Sequence, residues 1–261
     1  MDLGLDGAVA IVTGAGRGIG LAVTRTLVAE GARVVAASRS ITPALAELAD
    51  SGAVETVAAD LTDPEVPDRL VARALTLGQL RILVNNVGGV RPRTGGFASV
   101  TDDEWTNTFQ LDALSAIRMT RAALPTMRSA RRGAVVTVAS VNAKLPDPAV
   151  IDYSAAKAAL VNFSKSLSKE VGADGIRVNT VSPGPVATDL WLGHDGVADT
   201  IAAAGTDRAK VVAGAEASMV TGRFTKPDEV AALVAFLASD LVAGNTTGAD
   251  YLIDGGLTAE L

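Results

Sequence analysis

Tyr153 and Lys157 stand four residues apart in a stretch that patterns as a helix, so their side chains share one face, one turn apart. A free phenol ionises at about pH 10, too high for a base at neutral pH. A buried ammonium about 4 Å away is worth roughly 4 kcal/mol at an effective dielectric of 20. At about 1.36 kcal/mol per unit, it can pull the phenol down by up to roughly three units before desolvation opposes it. The spacing therefore leads us to expect a Tyr153 hydroxyl with a lowered pKa, able to exchange a proton with a substrate oxygen. Ser140 follows the apolar run Ala134–Ala139. A hydroxyl at the C-terminal edge of such a strand can donate to a substrate carbonyl and stabilise the developing alkoxide. A Tyr-x-x-x-Lys pair alone is more often plain helix surface, and the upstream sequence decides between the two readings.

Upstream, the apolar run Ala8–Val12 leads into Thr13-Gly14-Ala15-Gly16-Arg17-Gly18-Ile19-Gly20 and then a helical pattern. Glycines between a strand and a helix let the backbone turn tightly and approach a pyrophosphate, whose charge sits on the helix N-terminus. Residue 19 is Ile, so the spacing is Thr-Gly-x-x-x-Gly-x-Gly rather than GxGxxG. No Gly-Lys-Ser/Thr follows, which excludes a P-loop. About 20 residues past such glycines an acidic residue grips the ribose 2′-hydroxyl of NAD. Here the second strand ends in Ser38-Arg39. A guanidinium suits a 2′-phosphate, with Arg17 able to flank it, so NADP(H) is the expected cofactor and NAD(H) the alternative.

These residues need a frame, and the chain supplies one. Strands are expected at Ala8–Val12, Arg33–Ala37, Glu55–Ala58, Ile82–Asn85, Ala134–Ala139, Arg177–Val181 and Asp250–Ile253, nearly continuous apolar runs suited to burial on both faces. Between them lie helical patterns at Gly18–Glu30, Pro43–Ala49, Pro64–Leu77, Asp102–Arg131, Tyr153–Gly172 and Lys226–Ser239. Thr101-Asp102-Asp103-Glu104 has the form of a capping box, Pro64 and Pro227 suit first turns, and Gly31 and Gly172 sit where C-terminal glycines belong. The alternation defines an α/β fold, a single doubly wound Rossmann-type domain over residues 1–261. It has a seven-stranded parallel sheet with helices on both faces. Pro183–Gly222, rich in Gly, Ala and Asp, is expected to be irregular, with a lid at about 187–222.

Composition narrows the classes. The chain has 261 residues, no cysteine and one histidine, His194, which excludes a disulfide scaffold, thiolate metal sites and multi-His zinc chemistry. It carries 23 Lys and Arg against 29 Asp and Glu, a net charge of −6, which argues against a nucleic-acid coat or a binder of anionic membranes. No apolar run approaches a membrane span and the N-terminus lacks a basic leader, so a cytoplasmic protein is expected.

Six segments, in this order and spacing, resemble the short-chain dehydrogenase/reductase family over essentially the whole chain, in particular the ketoreductase branch that includes 3-oxoacyl carrier protein reductases. They are Thr13–Gly20, Asp60-Leu61-Thr62, Asn85-Asn86-Val87-Gly88, Ser140, Tyr153-Ser154-Ala155-Ala156-Lys157, and Pro183-Gly184-Pro185-Val186-Ala187-Thr188. The resemblance implies that Asp60 meets the adenine amino group and Leu61 its ring. Asn86 and Gly88 would line the adenosine side. Val186 and Thr188, led in by Pro183 and Gly184, would hold the nicotinamide carboxamide, and Lys157 the ribose. Ser140, thirteen residues before Tyr153, is the family's spacing. One position departs from the pattern: Asp112 stands seven residues after Trp105, where most relatives have an Asn that supports a water chain to the lysine. A carboxylate there keeps the acceptor, loses the amide donor and favours the ammonium form of Lys157.

For the substrate, Asn142 and Trp191 are expected contacts alongside Ser140 and Tyr153. Arg91 and Arg93 could meet a substrate or lie at the surface. Asp147 and Asp152 flank the Ser140–Tyr153 loop, and His194 reads as a lid surface residue. Apolar residues Leu111, Leu114, Ile117, Ala123, Leu160, Phe163 and Leu167 exceed what one sheet face needs, so a homo-oligomer, tetramer or dimer, is expected. The family implies a second contact near Asp254–Leu257. The expected function is NADPH-dependent reduction of a small-molecule ketone, reversible, in specialised-metabolite biosynthesis, without nucleic-acid or membrane partners. The alternatives are a catalytically silent dinucleotide-sensing protein, a 3-oxoacyl thioester reductase of fatty-acid type, and a relative that dehydrates or epimerises.

Overall fold

Burial follows position in the sheet. In the computed structural model, which describes residues 1–259, strands β1 (Val9–Thr13), β5 (Gly133–Val138) and β6 (Ile176–Pro183) are buried at every residue. The strands β3 (Val54–Ala58) and β7 (Asp250–Ile253) are mostly half-buried. With β2 (Arg33–Ser38) and β4 (Leu80–Asn85) they form a parallel sheet of order β3-β2-β1-β4-β5-β6-β7, so the half-buried strands are its two edges. Residues 260 and 261 of the expected domain lie outside the described residues.

The helices divide between two faces. The core on one side joins Ala22, Val23 and Leu27 of α1 (Gly18–Ala29), Leu45 of α2 (Pro43–Ala49) and Val230, Val234 and Leu237. The core on the other side joins Leu70 and Ala74 of α3 (Val66–Leu77) with Met119, Met127, Leu167 and Val171. Burying each Val or Leu side chain of this kind contributes about 1.5–3 kcal/mol. The order reverses beside β1, whose neighbours are β2 and β4, so a crevice opens at the carboxyl ends of β1 and β4.

Several boundaries differ from expectation. The strands differ from expectation by at most two residues at either end. Helix α3 begins at Val66, not Pro64, with Glu65 at the N-cap and Pro67 in the first turn. The expected helix Asp102–Arg131 is three pieces. α4 (Asp102–Phe109) carries the Thr101–Glu104 capping box, a π-turn covers Gln110–Leu114, and α5 is Ser115–Ala130. α6 runs Ile151–Val171. Gly172 is right-handed at φ −59°, and the left-handed residue ending this segment is Gly175 at φ +75°.

The stretch expected to be irregular holds three short helices, α7 (Asp189–Leu192), α8 (Val197–Ala202) and α9 (Arg208–Ser218), after β6 has run through Pro183. α10 (Pro227–Ala238) packs on α1. Part of the apolar surface expected at a subunit contact belongs to the core: Ala123, Leu160 and Leu167 are buried within this chain, whereas Leu111, Leu114, Ile117 and Phe163 are half-buried. Among the described residues no helix is long and apolar enough to cross a membrane.

Candidate active site

The Gly-rich turn leaves backbone bare toward the crevice. Gly14 and Gly18 sit at φ +66° and +54°, conformations that a side chain disfavours. At Gly16 a Cβ would run into Ser38 Oγ and come within 3.2 Å of the Ser40 carbonyl oxygen. The N-cap of α1, Arg17, makes no side-chain cap and the first turn holds no acid, so the first N–H groups lack a side-chain acceptor. This cradle opens into a cleft of about 1000 Å³. A pyrophosphate is the kind of group that such a helix end accepts. Gly20 does not line the cleft; it packs behind the turn, where a Cβ would strike the Gly14 carbonyl and Asn86.

Thr13 and Thr42, which the sequence reading passed over, hold this turn. Thr13 Oγ1 accepts from the N–H groups of Asn86 (2.9 Å) and Val87 (3.2 Å), and Thr42 donates to the Gly16 carbonyl at 2.7 Å. Their positions, at the strand's last residue and at the N-cap before Pro43, were the available signal. Asn86 lines the cleft but spends its amide on the Thr13 and Gly14 carbonyls, at 3.0 and 3.2 Å. Arg17, Ile19, Ser38, Arg39, Asp60, Leu61 and Gly88 share this cleft. Arg39 is exposed at the end of β2. The Thr62 N–H and hydroxyl hold the Asp60 carboxyl below its ordinary range, with Arg39's charge adding to the effect. Pro183, Gly184, Val186 and Thr188 form the facing wall.

Ser140, Tyr153 and Lys157 converge where β5 ends and α6 begins. Ser140 Oγ accepts from the Asn142 N–H and donates to Asn142 Oδ1, both at 3.2 Å. The Ser140 hydroxyl lies beside the Tyr153 phenol and favours its ionised form. Lys157 is buried, donates to the Val138 carbonyl at 3.4 Å and lies 5.6 Å from the Tyr153 ring centre. The expected lowering of Tyr153 is not the net result. Burial pushes the phenol up, the Lys157 charge pulls it down, Asp112 pushes it up and the Ser140 hydroxyl pulls it down; burial prevails and the phenol stands above its ordinary value.

Asp112 belongs to this cluster. The π-turn points it inward, and its Oδ1 lies 3.5 Å from Lys157 Nζ and accepts the Gly89 N–H at 3.0 Å. Its Oδ2 is buried without a partner. Burial pushes its carboxyl up against the pull of the Lys157 charge and the Gly89 N–H. Gly88 fits between them: a Cβ there would lie 2.7 Å from Asp112 Oδ1 and 3.0 Å from Lys157 Nζ.

The arginines part company. Arg91 is exposed. Arg93 neither lines the cleft nor extends into solvent. Its side chain, 8% exposed, pairs with Asp152 (2% exposed) and with Glu104 at 2.6 Å. Thr108 donates to the same Asp152 carboxylate at 2.7 Å, and the Arg93 N–H donates to the Ala149 carbonyl at 2.6 Å. Asp152 is therefore a structural carboxylate one residue before Tyr153. Burial pushes it up, but the Arg93 and Thr108 hydrogen bonds and the Arg93 charge together leave it below the ordinary range. Asn142, Asp147 and Trp191 line the cleft, Trp191 packed edge-on to Phe224 with ring centres 5.4 Å apart. His194 is 91% exposed beside Asp195.

A parallel sheet with an anion-ready turn at β1 and a Ser–Tyr–Lys cluster at β5 and α6 defines a nucleotide-binding α/β protein. The family model described as enoyl-(acyl carrier protein) reductase matches residues 14–258. The 3-oxoacyl-[acyl-carrier-protein] reductase of Salmonella typhimurium is 35% identical over 257 residues, 98% of this chain and 99% of that protein. The 2,3-dihydro-2,3-dihydroxybenzoate dehydrogenase of Bacillus subtilis is 34% identical, covering 98% of this chain and 97% of that one. The L-sorbose reductase of Gluconobacter frateurii, solved with NADPH and L-sorbose, superposes with a TM-score of 0.90 at 34% identity, covering 100% of both chains. The chain belongs to the short-chain dehydrogenase/reductase family and is an oxidoreductase of the ketone/secondary-alcohol class.

Proposed function

We propose that this protein is an NADPH-dependent reductase of a small-molecule ketone. The observation that carries the reading is the meeting of Ser140, Tyr153 and Lys157 in the same cleft as the bare glycine turn. Gly14, Gly16 and Gly18 with the first turn of α1 would hold the pyrophosphate. Arg39 and Arg17 would hold the 2′-phosphate, Asp60 and Leu61 the adenine, and Val186 and Thr188 the carboxamide. When bound, NADPH supplies the hydride. Ser140 donates to the substrate oxygen and so favours negative charge on it. Tyr153 releases its proton to that oxygen as the general acid. Lys157 sets its ammonium beside the phenolate that remains, and the Asp112 carboxyl lies against that ammonium. The reverse direction, alcohol oxidation, needs the phenolate and rises with pH.

Support for NADPH over NADH is the absence of an acid at residues 38–39 together with Arg39. The helices α7–α9, with Trp191 on α7, support a specialised-metabolite substrate, with α7–α9 acting as a lid in a cytoplasmic homo-oligomer, dimer or tetramer. The deciding experiment follows NADPH oxidation with a ketone panel and repeats it with Tyr153→Phe. Turnover should vanish while NADPH binding persists. Full activity in the variant overturns the mechanism, and tight NADPH binding without any turnover favours the silent dinucleotide-sensing protein.

A further inference from the structure

Resting on the ketone-reductase reading, we propose that the substrate of this cleft is an uncharged, predominantly apolar ketone, and not a polyol ketone or a keto acid. Beyond Ser140 and Tyr153 the cleft is walled by Val90, Pro92, Val141, Val150, Trp191 and Ile201. Trp191 stands half-buried and edge-on to Phe224 at an interplanar angle of 71°, which fixes a flat apolar surface. Leu145 and Leu190, 43% and 40% exposed, extend the apolar surface at the rim.

Asn142, Asp147 and Ser218, three polar side chains of this wall, each hydrogen-bond to the wall itself. Asn142 donates its amide to the Leu145 carbonyl at 3.2 Å, while its oxygen accepts from Ser140. Asp147 accepts the Ala149 N–H at 2.8 Å, and Ser218 donates to the Ala215 carbonyl at 2.7 Å. A substrate hydroxyl entering beside Asn142 and Ser218 gives up water for groups that already have partners, and an unpaired buried hydroxyl is costly. The carbonyl oxygen is the exception, since Ser140 and Tyr153 face it.

Charge excludes the anions. Among the described residues the cations lining the cleft are Arg17 and Arg39, at the far end, and Lys157, beneath Tyr153 beside Asp112. Arg93, the nearby candidate, is tied to Asp152 and Glu104. On the substrate side the ionisable lining groups are the carboxyls of Asp147 and Asp189. A carboxylate substrate would find no counter-charge there and two like charges.

The test uses four ketones that separate these features: acetophenone and cyclohexanone (apolar), phenylpyruvate (apolar with a carboxylate) and L-sorbose (polyol). Turnover is measured on the wild-type protein with NADPH. Binding is measured separately on a Tyr153→Phe, Trp105→Phe variant with NADP⁺. Trp191 is then the only tryptophan, because the chain has two, and its fluorescence reports occupancy. The apolar ketones should bind and turn over at least about a hundredfold better than L-sorbose, roughly 2.7 kcal/mol, and at least about tenfold better than phenylpyruvate. L-sorbose or phenylpyruvate binding as tightly as acetophenone overturns the inference, as does no binding of either apolar ketone. If the binding order holds and the wild type reduces none of them, the reductase reading fails and the substrate-class inference stands. If L-sorbose is the preferred substrate, the reverse holds.

Discussion

Replacing Arg93 by Ala removes the guanidinium that ties the segment after β4 to α4 and to the first turn of α6. Asp152, its side chain 2% exposed, would keep only the Thr108 hydroxyl and a backbone N–H. Removing one partner of a buried pair costs about 3–5 kcal/mol, because the remaining charge stays desolvated. At about 2–4 °C per kcal/mol for a chain of this size, the melting temperature at pH 7 should fall by about 6–20 °C. The sign of the pH dependence follows from Asp152. Its folded pKa is depressed, so its stabilisation is present above the unfolded value of about 3.9 and is lost as pH falls through the folded value. In the variant the buried carboxyl has no cation and its pKa moves up, so the deficit against wild type is full near pH 7 and shrinks on acidification. A double-mutant cycle with Asp152→Ala should give a coupling of about 2–3 kcal/mol. Asp152 precedes Tyr153, and a displacement of about 1 Å in a reacting group can cost about a hundredfold, so kcat should drop while NADPH affinity holds. Thermal unfolding across pH with steady-state kinetics reads all of this. A melting shift below about 2 °C at pH 7, or a gap that stays constant down to about pH 3, refutes the reasoning.

Asp112→Asn removes a negative charge that pushes the Tyr153 phenol up, so the pH profile of alcohol oxidation should move to lower pH; an unmoved profile contradicts the coupling. The raised folded pKa of Asp112 means that its ionisation costs stability, so the variant's melting temperature relative to wild type should rise as pH climbs through that pKa. Arg39→Ala should raise the NADPH KM about 10–100-fold and leave NADH kinetics unchanged, since only the 2′-phosphate contact is lost. Gly16→Ala crowds Ser38 and the Ser40 carbonyl beneath the shared pyrophosphate site, so a titration should show both cofactors weakened together.

Much of the frame was legible because its causes are local. Apolar runs that must be buried on both faces identified all seven strands, and the glycines after β1 could be placed because the backbone there needs φ values of +66° and +54°. Ser140, Tyr153 and Lys157 were legible from type and spacing taken together with the upstream glycine turn and the family resemblance, and the structure brings them together. Illegible were features that depend on distant partners. Arg93 looked like a loop cation because nothing in its neighbourhood announces Asp152, which is 59 residues away. The direction of the Tyr153 shift was misjudged for the same reason, since a Lys at i+4 can be read from the chain but burial cannot.

The π-turn shows how a local irregularity determines the chemistry of the site. A continuous α-helix over Asp102–Arg131 turns about 100° per residue, and one extra residue in the turn at Gln110–Leu114 changes which side chains face inward. That turn leaves Asp112 buried against Lys157 and Gly89 while α4 keeps Glu104 and Thr108 on the Arg93 cluster. The two carboxylates that α4 and the π-turn bring to the site then act differently. Glu104 supports the frame through Arg93, and Asp112 acts on the charge state of the Tyr–Lys pair. Arg93→Ala and Asp112→Asn should therefore separate, the first in melting temperature and kcat, the second in the pH profile. Parallel effects in both would mean that the segment acts as one unit.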